Sequence, residues 1–162
     1  MQRYRIIIGL LCILALYGCE GANFQSSVPA YPVRIDLDTK AVFVHFLPTA
    51  FGSYVTVNAE GYYFNGEFVL PRGVNDAYGY GGVVAYVGMS GYTAYDLGCP
   101  NCAQKGKKSP CMVDGMFAEC PVCGEQYDLA GGFAMPQKGI SKERLRPLYI
   151  HPENDKLIIR QK

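Results

Sequence analysis

The residues with the clearest chemical potential lie between Cys99 and Cys123, a stretch that holds five of the seven cysteines in this 162-residue chain. Two of its elements are near copies, Cys99-Pro-Asn-Cys102 and Cys120-Pro-Val-Cys123, with 17 residues between them. The two residues inside each element let the chain fold back, so that both sulfurs face one point and following amides can donate hydrogen bonds to them. Two C-x2-C pairs separated by roughly 15 to 20 residues are a strong signal for zinc. The spacing predicts one metal site with four ligands: Cys99, Cys102, Cys120 and Cys123.

Residue types alone leave the occupant of this site open. Four thiolates suit a closed tetrahedral zinc site, but they also suit an all-cysteine [2Fe–2S] cluster. Two local disulfides, which C-x-x-C motifs form in redox proteins, are a third interpretation, and an empty site is a fourth. Cys111 lies outside both motifs, and we expect it to be an ordinary loop residue. We expect the neighbouring lysines, from Lys105 to Lys108, to be solvated.

The N-terminus predicts export and lipid attachment. Arg3 and Arg5 precede an apolar run, Ile6 to Tyr17, that suits the core of a secretory signal and is short for a membrane span. The run ends in Leu16-Tyr17-Gly18-Cys19, which resembles the lipobox of bacterial lipoproteins, although Tyr17 is bulkier than usual. The resemblance implies cleavage after residue 18 and several acyl chains, palmitate among them, on Cys19. The alternative is an ordinary cleaved signal with a chance cysteine.

Composition after the signal predicts one domain on a short tether. We expect residues 19–31, which are small, polar and interrupted by proline, to be a lipidated tether, and residues 32–162 to be the domain. From residue 20 onward 13 Lys and Arg face 14 Asp and Glu, which argues against a nucleic-acid partner. We expect attachment to a membrane of the bacterial cell envelope, periplasmic or surface facing. The sequence names no protein partner.

Short runs of Val, Ile, Tyr and Phe, separated by Gly, Asn and Asp, predict an all-β domain. With 19 glycines and ten prolines, the chain suits a small antiparallel β-sandwich or barrel. Only Ser141–Leu145 looks weakly helical, and residues 152–155 look like a hairpin turn. Strands are predicted at Val33–Leu37, Ala41–Phe46, Tyr54–Asn58, Tyr62–Leu70, Val83–Val87, Tyr92–Leu97, Glu125–Leu129, Leu148–His151 and Leu157–Arg160.

Roughly residues 80–162 resemble a Rieske domain in the order of their parts. The runs VVAYV and YTAYDLG lead into Cys99-Pro100, and AECPVCGEQYDLAGG is similar to the family's loop of cysteine, proline, any residue, histidine and glycine. The final run, LYIHPENDKLIIR, is similar to the family's closing hairpin. The resemblance implies a sandwich in which two metal-binding loops, within residues 97–132, meet at one end.

The departures from this family concern the ligands. Each Rieske loop supplies one cysteine and one histidine, whereas Cys123 and Cys102 stand at or beside the histidine positions here. A normal Rieske centre is therefore excluded, and zinc or an all-cysteine [2Fe–2S] cluster remains. We expect His45 and His151 to be packed or surface residues, because neither is near the cysteines in sequence.

Export favours zinc over the cluster. Arg3-Tyr-Arg5 is not a twin-arginine pair, so we expect the chain to cross the membrane unfolded. An unfolded chain cannot carry a cluster built in the cytoplasm, whereas zinc can bind after export and drive folding. No paired carboxylates or Ser/His/Asp grouping stands out, so we predict a non-enzymatic structural zinc site. The alternative is an electron carrier with a [2Fe–2S] cluster within an oxidoreductase system.

Overall fold

The computed structural model describes residues 26–38 and 50–162 of the chain. The predicted signal peptide, Cys19 and the predicted strand Ala41–Phe46 lie outside these residues. The described part forms fourteen strands and one short helix, α1 (Pro100–Gln104). No helix within it is long and apolar enough to cross a membrane.

The strands up to the first cysteine are β1 (Val33–Asp38), β2 (Tyr54–Val57), β3 (Gly61–Phe64), β4 (Glu67–Pro71), β5 (Ala77–Tyr78), β6 (Val83–Gly88) and β7 (Gly91–Asp96). After it come β8 (Met112–Asp114), β9 (Phe117–Glu119), β10 (Gln126–Asp128), β11 (Met135–Lys138), β12 (Arg146–Pro147), β13 (Tyr149–Glu153) and β14 (Lys156–Arg160). The prediction of an all-β chain is confirmed.

These strands form three antiparallel sheets within the described residues. The central sheet has six strands in the order β12-β7-β6-β2-β3-β4, and a second has four in the order β13-β14-β1-β5. The third, in the order β11-β10-β9-β8, surrounds the cysteines and is called the cysteine sheet here. Most neighbours are consecutive in the chain, as expected for strands joined by tight turns.

The central sheet is covered on both faces. Along β6, Val83 and Ala85 pack into a core with Ile35 and Ile159 of the second sheet. The intervening Val84, together with Tyr86, packs on the opposite face in a core that includes the cysteines. Since successive side chains of a strand point to opposite faces, burial on both sides requires an unbroken apolar run. This is why the sequence VVAYV shows no alternation of polar and apolar residues.

Two predicted elements differ from the structure. The predicted strand Tyr62–Leu70 is two strands, β3 and β4, joined by Asn65-Gly66, whose φ angles of 47° and 89° are those of a two-residue hairpin turn. The predicted helix Ser141–Leu145 is wrong, because this segment has no helical residues. The Ser141 hydroxyl instead bonds to backbone groups of Glu143, a local alternative to helical hydrogen bonding. The predicted hairpin turn near the C-terminus is present at Asn154 and Asp155, between β13 and β14.

The folded part also begins before residue 32. Val28, within the predicted tether, is fully buried. Its carbonyl accepts a hydrogen bond from Arg146 at 2.7 Å, and the amide of Ser27 donates to Glu143 at 2.6 Å. Residues 26–31 are therefore attached to the domain rather than forming part of a free tether.

Candidate metal centre

Two loops carry the four predicted ligands to the same place. The first cysteine loop, residues 97–111, follows β7 of the central sheet, and Cys99 is the N-cap of α1. Pro100 opens this helix, where its missing N–H costs nothing. The second cysteine loop, residues 120–125, connects β9 to β10 in the cysteine sheet. It turns back through Gly124, which has a φ of 69° that favours glycine.

The four sulfurs form one compact group. Their Sγ atoms all lie within 4.8 Å of one another. The Sγ atoms of Cys99 and Cys123 are 3.5 Å apart, and those of Cys102 and Cys120 are 3.7 Å apart. Each of these contacts joins one loop to the other. A tetrahedral ion with Zn–S bonds of about 2.3 Å holds its sulfurs about 3.8 Å apart, so the group fits one ion.

Backbone and side-chain donors surround the sulfurs. The amide of Cys102 donates to the sulfur of Cys99, and the amide of Glu125 donates to the sulfur of Cys123. Among side chains, the Tyr127 hydroxyl lies 3.7 Å from the sulfur of Cys99. The Ser109 hydroxyl lies 3.2 Å from the sulfur of Cys120. Such donors stabilise negative charge on thiolates and orient them.

Cys111 differs from the expectation of an ordinary loop residue. It is buried, with 4% of its surface exposed, and belongs to the same core as the four predicted ligands. Its thiol donates a hydrogen bond to Cys99, and this bond is the main reason that the pKa of Cys99 falls to about 4. The same bond, followed by burial, raises the pKa of Cys111 above its ordinary value. Cys111 is therefore a buried neighbour of the predicted ligand Cys99.

The backbone attaches Cys111 to the first loop. The Cys111 amide donates to the carbonyl of Leu97 at 2.7 Å, and the Cys99 amide donates to the carbonyl of Ser109 at 2.9 Å. Sequence reasoning missed Ser109 and Cys111 as contacts of the ligands. The available signal in the sequence was a fifth cysteine close to the other four, because free cysteine is among the most buried residue types.

The burial of two of the thiols argues against thiol–disulfide exchange. Cys99 is fully buried and Cys102 is 2% exposed, whereas exchange requires an attacking thiolate that its partner can reach. Burial is also the main reason that the pKa of Cys102 rises to about 12 and that of Cys123 rises as well. Cys123 is half-buried, so the site approaches the surface at the second cysteine loop.

The remaining predicted residues lie apart from the cluster. His151 is exposed on β13, where its ring stacks with that of Tyr149 at 6.1 Å. His45 is outside the described residues. Lys105 and Lys107 are exposed, as expected, and the Lys108 amine lies 5.3 Å from the centre of the Tyr80 ring.

Comparison with known proteins finds similar solved structures but no family. No family model matches the chain, and no curated protein matches it. One similar solved structure is a chain of the complex of reduced oxygenase and oxidized ferredoxin in carbazole 1,9a-dioxygenase, at 14% identity and a TM-score of 0.45. That match covers 80% of this chain and 96% of the other.

A second similar structure is a quaternary ammonium Rieske monooxygenase, at 14% identity and a TM-score of 0.46. This match covers 79% of the present chain but only 30% of the monooxygenase chain. Rieske-type proteins are thus among the structural neighbours of this all-β fold. Neither likeness extends to the chemistry, which has to be read from the cysteine cluster itself.

Proposed function

We propose that this protein is a lipoprotein of the bacterial cell envelope whose all-β domain holds one structural zinc ion and is not an enzyme. Four cysteines would bind the ion: Cys99, Cys102, Cys120 and Cys123. The observation that carries the proposal is that four sulfurs from two separate loops lie within 4.8 Å of one another. Four thiolates around one divalent ion make a closed, redox-inert site.

The size of the sulfur group supports one ion rather than a two-iron cluster. In a [2Fe–2S] cluster each iron binds two of the four cysteines. Sulfurs on different irons are then farther apart than sulfurs on the same iron, because the iron–iron distance adds to their separation. The contacts of 3.5 Å and 3.7 Å divide the four sulfurs into two pairs. No two sulfurs of the group are more than 4.8 Å apart, whether they belong to the same pair or to different pairs. The two sulfurs within each loop would have to move apart to accept the larger cluster.

The proposed ion would connect parts of the chain that share few regular hydrogen bonds. The first loop has only the five-residue helix α1, and the second has no strand or helix. One ion bound by both loops joins the end of β7 to the hairpin between β9 and β10. In such sites the free energy of metal binding is free energy of folding. This position supports a structural role for the ion.

An electron carrier with a [2Fe–2S] cluster is the second candidate. The side-chain donors to the sulfurs favour it, because hydrogen bonds to sulfur set the potential of iron–sulfur clusters. Ser109, Cys111 and Tyr127 supply these donors. The same donors also stabilise thiolates around zinc, so they are compatible with the first proposal.

Metal analysis of the purified full-length protein separates the two candidates. We expect one zinc per chain and no absorption in the visible range, since zinc has a filled d shell. Two irons with a reddish visible spectrum would replace the zinc proposal by the electron carrier. One iron per chain would keep the single-ion geometry but contradict zinc. No metal under any loading condition would contradict both.

The lipid anchor predicts that Cys19→Ser moves the protein out of the membrane fraction, either as a soluble or as an unprocessed form. A membrane anchor of several acyl chains is stable, whereas the chain without them has no such attachment. Fractionation and detergent extraction measure the outcome. Cys12→Ser, which changes the other cysteine of the predicted signal, should leave anchoring unchanged. Detergent-dependent anchoring that survives in Cys19→Ser would contradict the lipoprotein proposal.

A further inference from the structure

Glu125 is the last residue of the second cysteine loop and contacts both of its cysteines. Its side chain is 1% exposed, which is rare for a glutamate. Its amide donates to the sulfur of Cys123, and its carbonyl accepts a hydrogen bond from the amide of Cys120 at 2.8 Å. The backbone of this one residue therefore contacts both cysteines of the second loop.

The side chain of Glu125 reaches the first cysteine loop. Its Oε1 atom accepts a hydrogen bond from Nδ2 of Asn101 at 3.3 Å. Asn101 lies in α1 between Cys99 and Cys102, and it is 6% exposed. One carboxyl oxygen thus links the two loops.

A third segment holds the same oxygen in place. Oε1 of Glu125 also accepts from the amides of Ile140 at 2.7 Å and Ser141 at 3.0 Å. Gly139 makes room for the carboxyl group, because a Cβ there would lie 2.2 Å from both Cδ and Oε2 of Glu125. Contacts with Asn101 and with the segment 139–141 therefore fix the orientation of the Glu125 side chain.

The second carboxyl oxygen makes this arrangement costly. Oε2 of Glu125 is buried and has no hydrogen-bond partner among the described residues. A buried polar atom without a partner costs free energy, so its presence in a native fold requires an explanation. Neither oxygen belongs to the group that surrounds the metal position, which consists of four sulfurs. Glu125 is thus a neighbour of the ligands and not a ligand itself.

We propose that Glu125 is a positioning residue of the metal centre, acting through its hydrogen bond to Asn101. The bond holds the first and second cysteine loops in the mutual position that brings their sulfurs together. It thereby sets how tightly and how long the ion is held. This inference rests on the proposed metal-binding function. Residues that orient metal ligands typically change affinity by about 10- to 100-fold when they are replaced.

The test compares zinc release from the full chain and three variants. Glu125→Ala and Asn101→Ala each remove one side of the bond, and Glu119→Ala is the control. Glu119 is an exposed glutamate directly before Cys120, and its side chain accepts a hydrogen bond from the side chain of Gln126. Release of zinc to a coloured chelator should be at least about tenfold faster in the first two variants and unchanged in the control. Glu125→Gln, which keeps an acceptor at this position, should be closer to the unmodified chain.

Cobalt(II) provides a readout that a merely structural role would not change. Loaded in place of zinc, it reports the geometry of its four thiolates in its visible spectrum. We expect shifted bands in Glu125→Ala and Asn101→Ala but not in Glu119→Ala. The double variant should release zinc no faster than Glu125→Ala, because both changes remove the same bond.

The outcomes separate this inference from the function on which it rests. If the unmodified chain binds neither zinc nor cobalt, the proposed metal-binding function fails. If it binds both and the two variants match it in release rate and spectrum, only the role of Glu125 is overturned. Should Glu125→Ala fail to fold, Asn101→Ala decides, since it leaves the bonds of Glu125 to Ile140 and Ser141 intact.

Discussion

Cys120→Ser is expected to release the proposed zinc ion and to lower the free energy of unfolding by more than about 4 kcal/mol. Cys120 is fully buried, and its sulfur lies 3.7 Å from that of Cys102 in the other loop. Serine is not among the usual zinc ligands, so three thiolates would remain. Because the proposed ion would join two loops, its loss would remove binding energy that contributes to folding. Metal content and denaturant unfolding measure the two effects.

Two neighbouring variants serve as controls for Cys120→Ser. Val122→Ser changes a side chain between Cys120 and Cys123 that is 62% exposed, so it should leave zinc and stability unchanged. Cys111→Ala removes a buried donor but no ligand, so it should retain zinc and lose about 1–3 kcal/mol. Equal metal loss from the Cys120 and Cys111 variants would make Cys111 a ligand. Full zinc content and unchanged stability in Cys120→Ser would contradict a structural site.

Asp96→Ala is expected to lower the free energy of unfolding by more than about 3 kcal/mol. Asp96 is 1% exposed at the end of β7. Its carboxylate accepts from the amides of Tyr80 at 2.6 Å and of Gly81 and Gly98, each at 2.8 Å. Alanine would leave three amides without this acceptor, and each buried donor without a partner costs about 1–3 kcal/mol. Thermal or denaturant unfolding measures the loss.

The effect of Asp96→Ala should extend to the metal centre. Gly98 directly precedes Cys99, so the carboxylate of Asp96 also determines where the first cysteine loop begins. Burial raises the pKa of Asp96, while its three amide bonds and Arg146 act in the opposite direction. Asp114→Ala, at an exposed aspartate of β8, is the matched control and should be neutral. A variant that is as stable as the unmodified chain would show that water replaces the carboxylate without cost.

The local pattern of apolar and polar residues was sufficient to predict much of the fold. Runs such as VRIDLD and KLIIR alternate or bury their apolar residues in the way that strands require, and they form β1 and β14. The division of Tyr62–Leu70 into two strands was also indicated in the sequence by Asn65-Gly66, which is typical of a two-residue hairpin turn. The short helix α1 was not predictable from pattern. At five residues it is too short to show periodicity.

The candidate site, like the fold, was predictable from the sequence only in part. The spacing of two CPxC elements by itself determined the four sulfurs, because a metal knuckle is a local structure with two residues between its ligands. Only the tertiary structure decided what surrounds them: the contact of Cys111 with Cys99, and that of Ser109 with Cys120. The bond from Glu125 to Asn101 spans 24 residues. Such contacts depend on how the central and cysteine sheets pack, and packing brings distant residues together without leaving a periodic trace in the sequence.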